Sequence, residues 1–185
     1  MSFRHLKSLF NPRSIAVIGA SARERRMGNV LMRNLLSGQF AGPIMPVNPR
    51  RPSVAGVLTY PSVAALPQTP DLAIICTPAP SVPRLVEELG ERGTRAVMVM
   101  ASQLDTTLGA DGRPLDRGIL ETIRRYEMRL LGGSTLGLLV PGLGLNATFS
   151  QIPARPGKLG FVSQRDTVGT MVLDWALRKK VGFSH

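Results

Sequence analysis

Short, continuously apolar runs rich in β-branched residues alternate along this chain with segments of helical periodicity, and that alternation leaves few folds open to it. The runs occupy 14–18, 44–47, 72–76, 96–100 and 128–131, each bounded by turn residues, so they read as buried strands. Between them the spacing predicts helices over 28–37, ending at Gly38, over 81–89, with Val82, Leu85, Val86 and Leu89 on one face, and over 113–126, with Ile119, Ile123 and Tyr126 inward. Strands that are apolar on both sides need cover on both. The expected fold class is therefore α/β, a Rossmann-like doubly wound parallel sheet joined by right-handed crossovers.

From 132 to 157 glycine and proline crowd the chain and the periodicity fades, as in a connecting segment. The expected organisation is a first domain over 1–131, a connector over 132–157 and the start of a second α/β domain over 158–185. That second unit is predicted to hold a sixth strand over 159–162 and an amphipathic helix over 167–180, N-capped by Asp166, with Val168, Met171, Val172, Trp175 and Ala176 as its apolar stripe. One strand and one helix bury no core unaided, so the second domain is expected to be truncated.

At 43% hydrophobic and 19% charged residues the composition is that of a globular protein. No apolar run approaches the roughly 20 residues that span a bilayer, and 1–10 lack a secretory leader. Cys76 is the single cysteine and has no disulfide partner, so a reducing cytoplasm is the expected location. The net charge of +11 points to nucleic acid or to a multiply phosphorylated small ligand. Of the basic clusters, Arg23, Arg25 and Arg26 follow the first predicted strand and Arg50 and Arg51 the second, where α/β proteins bind ligands. Arg178, Lys179 and Lys180 close a helix, where cations offset the dipole. No aromatic platform or known motif accompanies the charge, so nucleic acid is not the expected partner.

The sharpest local feature is Ser14-Ile15-Ala16-Val17-Ile18-Gly19-Ala20-Ser21, followed after six residues by Gly28 at a helix start. Gly19 lets the backbone turn without a Cβ clash, Ala20 and Ser21 leave room for a phosphate, and free N–H groups at the helix start favour negative charge. This is not a strict G-x-G-x-x-G. An NAD site would place an acid at the end of the second strand, but Val47 is followed by Asn48-Pro49-Arg50-Arg51. That pattern suits a phosphorylated ribose, as in NADP or in coenzyme A. The loop Cys76-Thr77-Pro78-Ala79-Pro80-Ser81 forms a rigid wall near the topological switch point, with Ser81 as a helix N-cap. Cys76 reads as a small core residue, and His5 and His185 form no triad or metal cluster. An NADP-dependent oxidoreductase fragment would use the same corner, but Tyr60 and Tyr126 lack the lysine that a Tyr-x-x-x-Lys proton donor requires.

Six spaced motifs, namely Ser14 to Ser21, Pro46-Val47-Asn48-Pro49, Tyr60-Pro61-Ser62-Val63, Pro70-Asp71-Leu72-Ala73-Ile74-Ile75, Thr77-Pro78-Ala79-Pro80 and Gly144-Leu145-Asn146-Ala147-Thr148-Phe149, resemble the ADP-forming acyl-CoA synthetases. These are relatives of the succinyl-CoA synthetase alpha subunit, and the pattern is most similar to bacterial members fused to a GNAT lysine acetyltransferase. The resemblance implies that coenzyme A or acetyl-CoA binds with Gly19, Ala20 and Ser21 near its phosphates and Asn48, Pro49 and Arg50 near the ribose phosphate. Thr77, Pro78 and Ala79 with Met100, Ala101 and Ser102 would line the rest.

The resemblance also implies that 158–185 opens a flavodoxin-like domain and that the catalytic loops lie elsewhere in a parent protein. The chain alone is then a binding module whose partners are a CoA thioester and the parent's other domains, with a homo-oligomer among the expected states. Two stretches depart from the family pattern. Gly132-Gly133-Ser134-Thr135 stands where Gly-Pro-Asn is usual, and Ser163-Gln164-Arg165-Asp166-Thr167 changes the bulk and charge of a loop that usually carries small residues.

Overall fold

The computed structural model describes residues 5–133 and 135–185, so Met1 to Arg4 and Ser134, the last being part of the first departure above, lie outside the described residues. Strands β1 (Ile15–Ile18), β2 (Ile44–Val47), β5 (Leu72–Ile75), β6 (Ala96–Val99) and β7 (Arg129–Gly132) form a five-stranded parallel sheet in the order β2-β1-β5-β6-β7. A two-stranded antiparallel β3–β4 (Ser53–Val54, Val57–Leu58) sits in the connection after β2. This is the expected α/β architecture, with the central strands buried along their whole length.

Alternate residues of each strand serve opposite cores, because successive side chains leave a strand on opposite faces. Ala16, Ile18, Ala73, Ile75, Val97 and Val99 meet α3 (Val82–Glu91) and α4 (Leu115–Arg125). Ile15, Val17, Leu72, Ile74, Ala96 and Met98 meet α1 (Leu6–Phe10) and α2 (Met27–Ser37). The second face has a further cover. Within the Gly/Pro-rich stretch 132–157, β8 (Gly137–Val140) and β9 (Leu145–Thr148) pair as an antiparallel hairpin, and Leu145 and Ala147 are fully buried beside Leu31 and Leu35 of α2.

The sixth strand falls at β10 (Arg155–Leu159), which pairs in parallel with β11 (Gly182–Phe183), and not at 159–162, where Val162 is 96% exposed. The close approach of two glycines sets that register: a Cβ at Gly157 would lie 2.2 Å from the Gly182 carbonyl carbon. Helix α5 (Asp166–Lys179) starts one residue before the sequence reading, with Arg165 at the N-cap and Asp166 as its first helical residue. Ser163 Oγ accepts the Arg165 N–H at 3.1 Å and so shapes the entry to the helix. Ser81 does occupy the N-cap of α3, but it makes no side-chain capping bond there.

Inward on α5 are Gly169, Leu173 and Ala176, packed with Phe183, Leu139 and Ile152. Only Ala176 of the predicted stripe is fully buried and Val172 is half-buried, while Val168, Met171 and Trp175 are 41%, 67% and 52% exposed. The helix is apolar on both sides, and pattern alone does not say which side packs.

Helices α3 and α4 are clamped through Glu87, whose carboxylate accepts from Tyr126 Oη at 2.8 Å, Thr122 Oγ1 at 3.1 Å and Arg125 at 2.8 Å. The Tyr126 hydroxyl above all, with Thr122 and the Arg125 charge, holds the Glu87 carboxyl below its ordinary value against burial, which opposes it more than either the Thr122 bond or the Arg125 charge helps. A carboxyl so depressed contributes stability above its unfolded value and loses it as pH falls through the folded one. Replacing Glu87 by Gln is expected to cost about 1 kcal/mol at pH 7, a figure reduced by the solvent around the ion pair. Urea unfolding of both proteins should show that gap closing below about pH 4.

Candidate functional site

The site is built by register. Ile18 stands opposite both Val47 and Ile75, Ile75 opposite Val99, and Val99 opposite Gly132, so five strands end at one level. The ladder runs one step further, with Gly19 N–H donating to Val47 O at 3.1 Å, Cys76 N–H to Ile18 O at 2.8 Å and Met100 N–H to Ile75 O at 3.0 Å. The loops at 19–26, 48–51, 76–81 and 100–102 therefore leave a common carboxyl edge, and the chain switches direction across the sheet between β1 and β5. That is where α/β sheets take ligands.

At the first loop Gly19 makes the tight turn that its residue type suggested. Its φ is +88°, and a Cβ there would lie 2.8 Å from Thr77 Cγ2 and 3.1 Å from the Cys76 carbonyl carbon. Gly28, in the first turn of α2, is tighter still, with a Cβ falling 2.1 Å from the Gly19 carbonyl oxygen. The helix start thus rests directly on the corner. Its N-cap, Arg26, offers no side-chain capping bond, which leaves first-turn N–H groups open to an anion.

Asn48 is bonded to the protein's own backbone on both sides of its amide. Its Nδ2 donates to Ala20 O at 2.7 Å, and its Oδ1 accepts the N–H groups of Arg50 at 2.8 Å and Arg51 at 3.1 Å. One side chain therefore ties the second loop to the first. Asn29, which the sequence reading missed, does the same from α2 by donating to Ser21 O at 3.0 Å. An Asn in a helix's first turn carries no sequence signal of such a bond. Ser21 Oγ accepts the Arg23 N–H at 3.1 Å, and Thr77 Oγ1 accepts from Ser81 Oγ at 2.8 Å.

The predicted residues are all brought to this edge, but in different ways. Pro49, Arg50, Pro78 and Ser102 are exposed, and Ala79 is half-buried. Ala20, Met100 and Ala101 turn their side chains into the cores, so only their backbone faces the edge. Burial pushes the Cys76 thiol up to about 12, which keeps it protonated and inert at neutral pH. Arg23, Arg25, Arg26, Arg50 and Arg51 are exposed, and none forms an ion pair among the described residues.

Two clefts flank the row of loops. One of about 320 Å³ lies between Arg25, the outer face of α2 at Asn29 and Arg33, and Gln151. The other, about 310 Å³, lies at the far end between Leu104, the first turns of α4 and Gly132.

A parallel sheet with a small-residue corner, a helix start set upon it and free cations on both sides defines a binding domain for a phosphorylated nucleotide-like ligand. The family described as CoA binding domain matches residues 13–141, and the chain belongs to it. It is 38% identical over 179 residues to acetate–CoA ligase [ADP-forming] I of Archaeoglobus fulgidus, covering 97% of this chain and 26% of that protein. To the alpha subunit of acetate–CoA ligase [ADP-forming] I of Pyrococcus furiosus it is 36% identical, covering 97% of this chain and 39% of the subunit. Among solved structures, a dinucleotide-forming acetyl-coenzyme A synthetase 1 from Ca. Korarchaeum cryptofilum, in complex with phosphate and ADP, superposes with a TM-score of 0.86. That pair shares 31% identity over 97% of this chain and 38% of the other. The chain thus spans between a quarter and two fifths of the length of these relatives.

Asn48→Ala removes three hydrogen bonds, one that joins the two loops and two that shape the second. It is expected to cost about 2 kcal/mol, lowering the melting temperature by about 4–8 °C in calorimetry. Hydrogen exchange should quicken at the amides of Arg50 and Arg51, whose acceptor is lost.

Proposed function

We propose that this chain binds coenzyme A or an acyl-CoA across the carboxyl edge of its sheet and catalyses no reaction unaided. The observation that carries the reading is the corner at Gly19 and Gly28, where a Cβ at either position would collide with the protein's own atoms, so that the helix start sits bare on the strand end, set among five exposed arginines. The diphosphate lies over Gly19, Ala20 and Ser21 against the start of α2. Asn48, Pro49 and Arg50, with Arg51, receive the 3′-phosphorylated ribose. Thr77, Pro78 and Ala79, then the backbone of Met100, Ala101 and Ser102, support the pantetheine arm.

The parent activity we favour is that of an ADP-forming acyl-CoA synthetase, on the support of the ligases that match it over 97% of its length. A parent fused to a lysine acetyltransferase rests on motif resemblance alone. We read 158–185 as the opening of a second domain, supported by the exposed Val168, Met171 and Trp175 and by a parallel sheet of only two strands, a form that is rarely stable without cover.

Titration calorimetry with coenzyme A, 3′-dephospho-coenzyme A and NADP tests the binding. Coenzyme A should bind, and loss of its 3′-phosphate should weaken binding by roughly 10-fold or more, as a charge-assisted hydrogen bond of about 1.5–3 kcal/mol requires. Arg50→Ala with Arg51→Ala should erase that difference. Gly19→Val should abolish binding in a protein that still shows a folded circular-dichroism spectrum. Binding of NADP with none of coenzyme A would refute the proposal.

A further inference from the structure

Residues 49–53 are all exposed, and they leave the sheet at the carboxyl end of β2. Their path is held from behind. Asn48 Oδ1 accepts the N–H groups of Arg50 at 2.8 Å and Arg51 at 3.1 Å, and Thr59 N–H donates to Pro52 O at 3.0 Å. Ser53 then opens β3, opposite Leu58 of β4, and the far edge of β3 has no partner strand among the described residues. Val54 turns inward and is 1% exposed, so Ser53 faces outward, because successive side chains of a strand alternate.

The order Arg50-Arg51-Pro52-Ser53 is singular in this chain: of all its serines and threonines, only Ser53 has an arginine three residues before it. An exposed hydroxyl on an extended segment, preceded by two cations at fixed spacing, is the pattern that a serine kinase with an acidic substrate groove selects. Arg50 and Arg51 form no ion pair among the described residues, so both are open to a phosphate.

We propose that Ser53 is a phosphorylation site for a serine kinase that reads Arg50 and Arg51, and that the attached phosphate closes the coenzyme A site. The γ-phosphorus of ATP bonds to Ser53 Oγ as its bond to the departing ADP oxygen breaks, and the hydroxyl proton passes to the kinase's own base. The product adds a charge of about −1.5 to −2 at pH 7. Residues two apart in an extended chain are separated by roughly 7 Å, which an arginine side chain spans, so the new phosphate pairs with Arg51 and Arg50. It occupies the cations that receive the 3′-phosphate and repels that group as well. This closing of the site rests on the coenzyme A reading above, whereas the modification does not.

The full chain is incubated with ATP and a serine kinase that prefers arginine two and three residues before its target, and mass spectrometry locates the phosphate. Ser53 should be modified, Ser53→Ala should take up none there, and Arg50→Ala with Arg51→Ala should slow the reaction at least about 10-fold. In calorimetry the phosphorylated chain, shown to be folded by circular dichroism, should bind coenzyme A at least about 10-fold more weakly than the unmodified chain. Its affinity for 3′-dephospho-coenzyme A should change by no more than about twofold, and Ser53→Ala should bind coenzyme A like the unmodified chain. An unmodified Ser53 in the folded chain, with a peptide spanning 47–56 phosphorylated by the same kinase, would overturn the site. Unchanged coenzyme A affinity after phosphorylation, or equal loss of both ligands, would overturn the switch. Failure of the unmodified chain to bind coenzyme A would overturn the coenzyme A reading and the switch together, and phosphate on Ser53 would still establish the modification site.

Discussion

Helix α2 begins where β1 ends, with Gly28 pressed so closely on Gly19 that a Cβ would come within 2.1 Å of its carbonyl oxygen. No other residue type allows that approach, and most of the edge is set by it. Because the helix start lies on the corner, its first N–H groups are held at the height of the strand ends. Because Thr77 Cγ2 and the Cys76 backbone close the other side, Gly19 has a positive φ and no room for a side chain. Asn48 and Asn29 then fasten the two loops and the helix to this point through Ala20 O and Ser21 O. The surface that would meet a diphosphate is thus backbone, fixed before any ligand arrives, and little ordering entropy remains to be lost on binding.

That rigidity depends in turn on the two cores behind the edge. One face is covered by α3 and α4, which are themselves locked by Glu87, Thr122, Arg125 and Tyr126. The other is covered by α1, α2 and the β8–β9 hairpin. Asn34 of α2 donates to Thr148 O and Ser150 O, each at 2.8 Å, so the hairpin's end is hydrogen-bonded to the same helix whose start forms the corner. Packing at the back of α2 and phosphate geometry at its front are therefore one structural problem.

The sequence made the sheet legible because its strands are buried on both faces: a run such as Leu72–Ile75 has no exposed residue to interrupt its apolar pattern. The same rule hid the rest. In β8 only Leu138 and Val140 are fully buried, with Gly137 at its start, so the hairpin resembles a loop. β10 is exposed at every residue and contains Pro156 and Gly157, which leaves no pattern to find. At the site, Gly19 was legible because a tight turn restricts residue type, and the arginines because charge is visible wherever it falls. The work of Asn48 was only half visible: its position after β2 marked it, but its bond to Ala20 O depends on two loops meeting in space. Asn29 had no mark at all.

The charge of +11 is distributed unevenly along the carboxyl edge, and this gives the site a direction. Arg23, Arg25, Arg26, Arg50 and Arg51 gather around β1 and β2, while Asp105 and Asp116 stand at β7. A ligand with a multiply anionic head and a neutral tail gains at both ends in one orientation and loses at both ends in the other. The cations are exposed, so their attraction is long-ranged, steers approach and is weakened by salt. The apolar walls between α4 and β7 act only on contact. The common register of the strands sets the distance between these two ends of the edge.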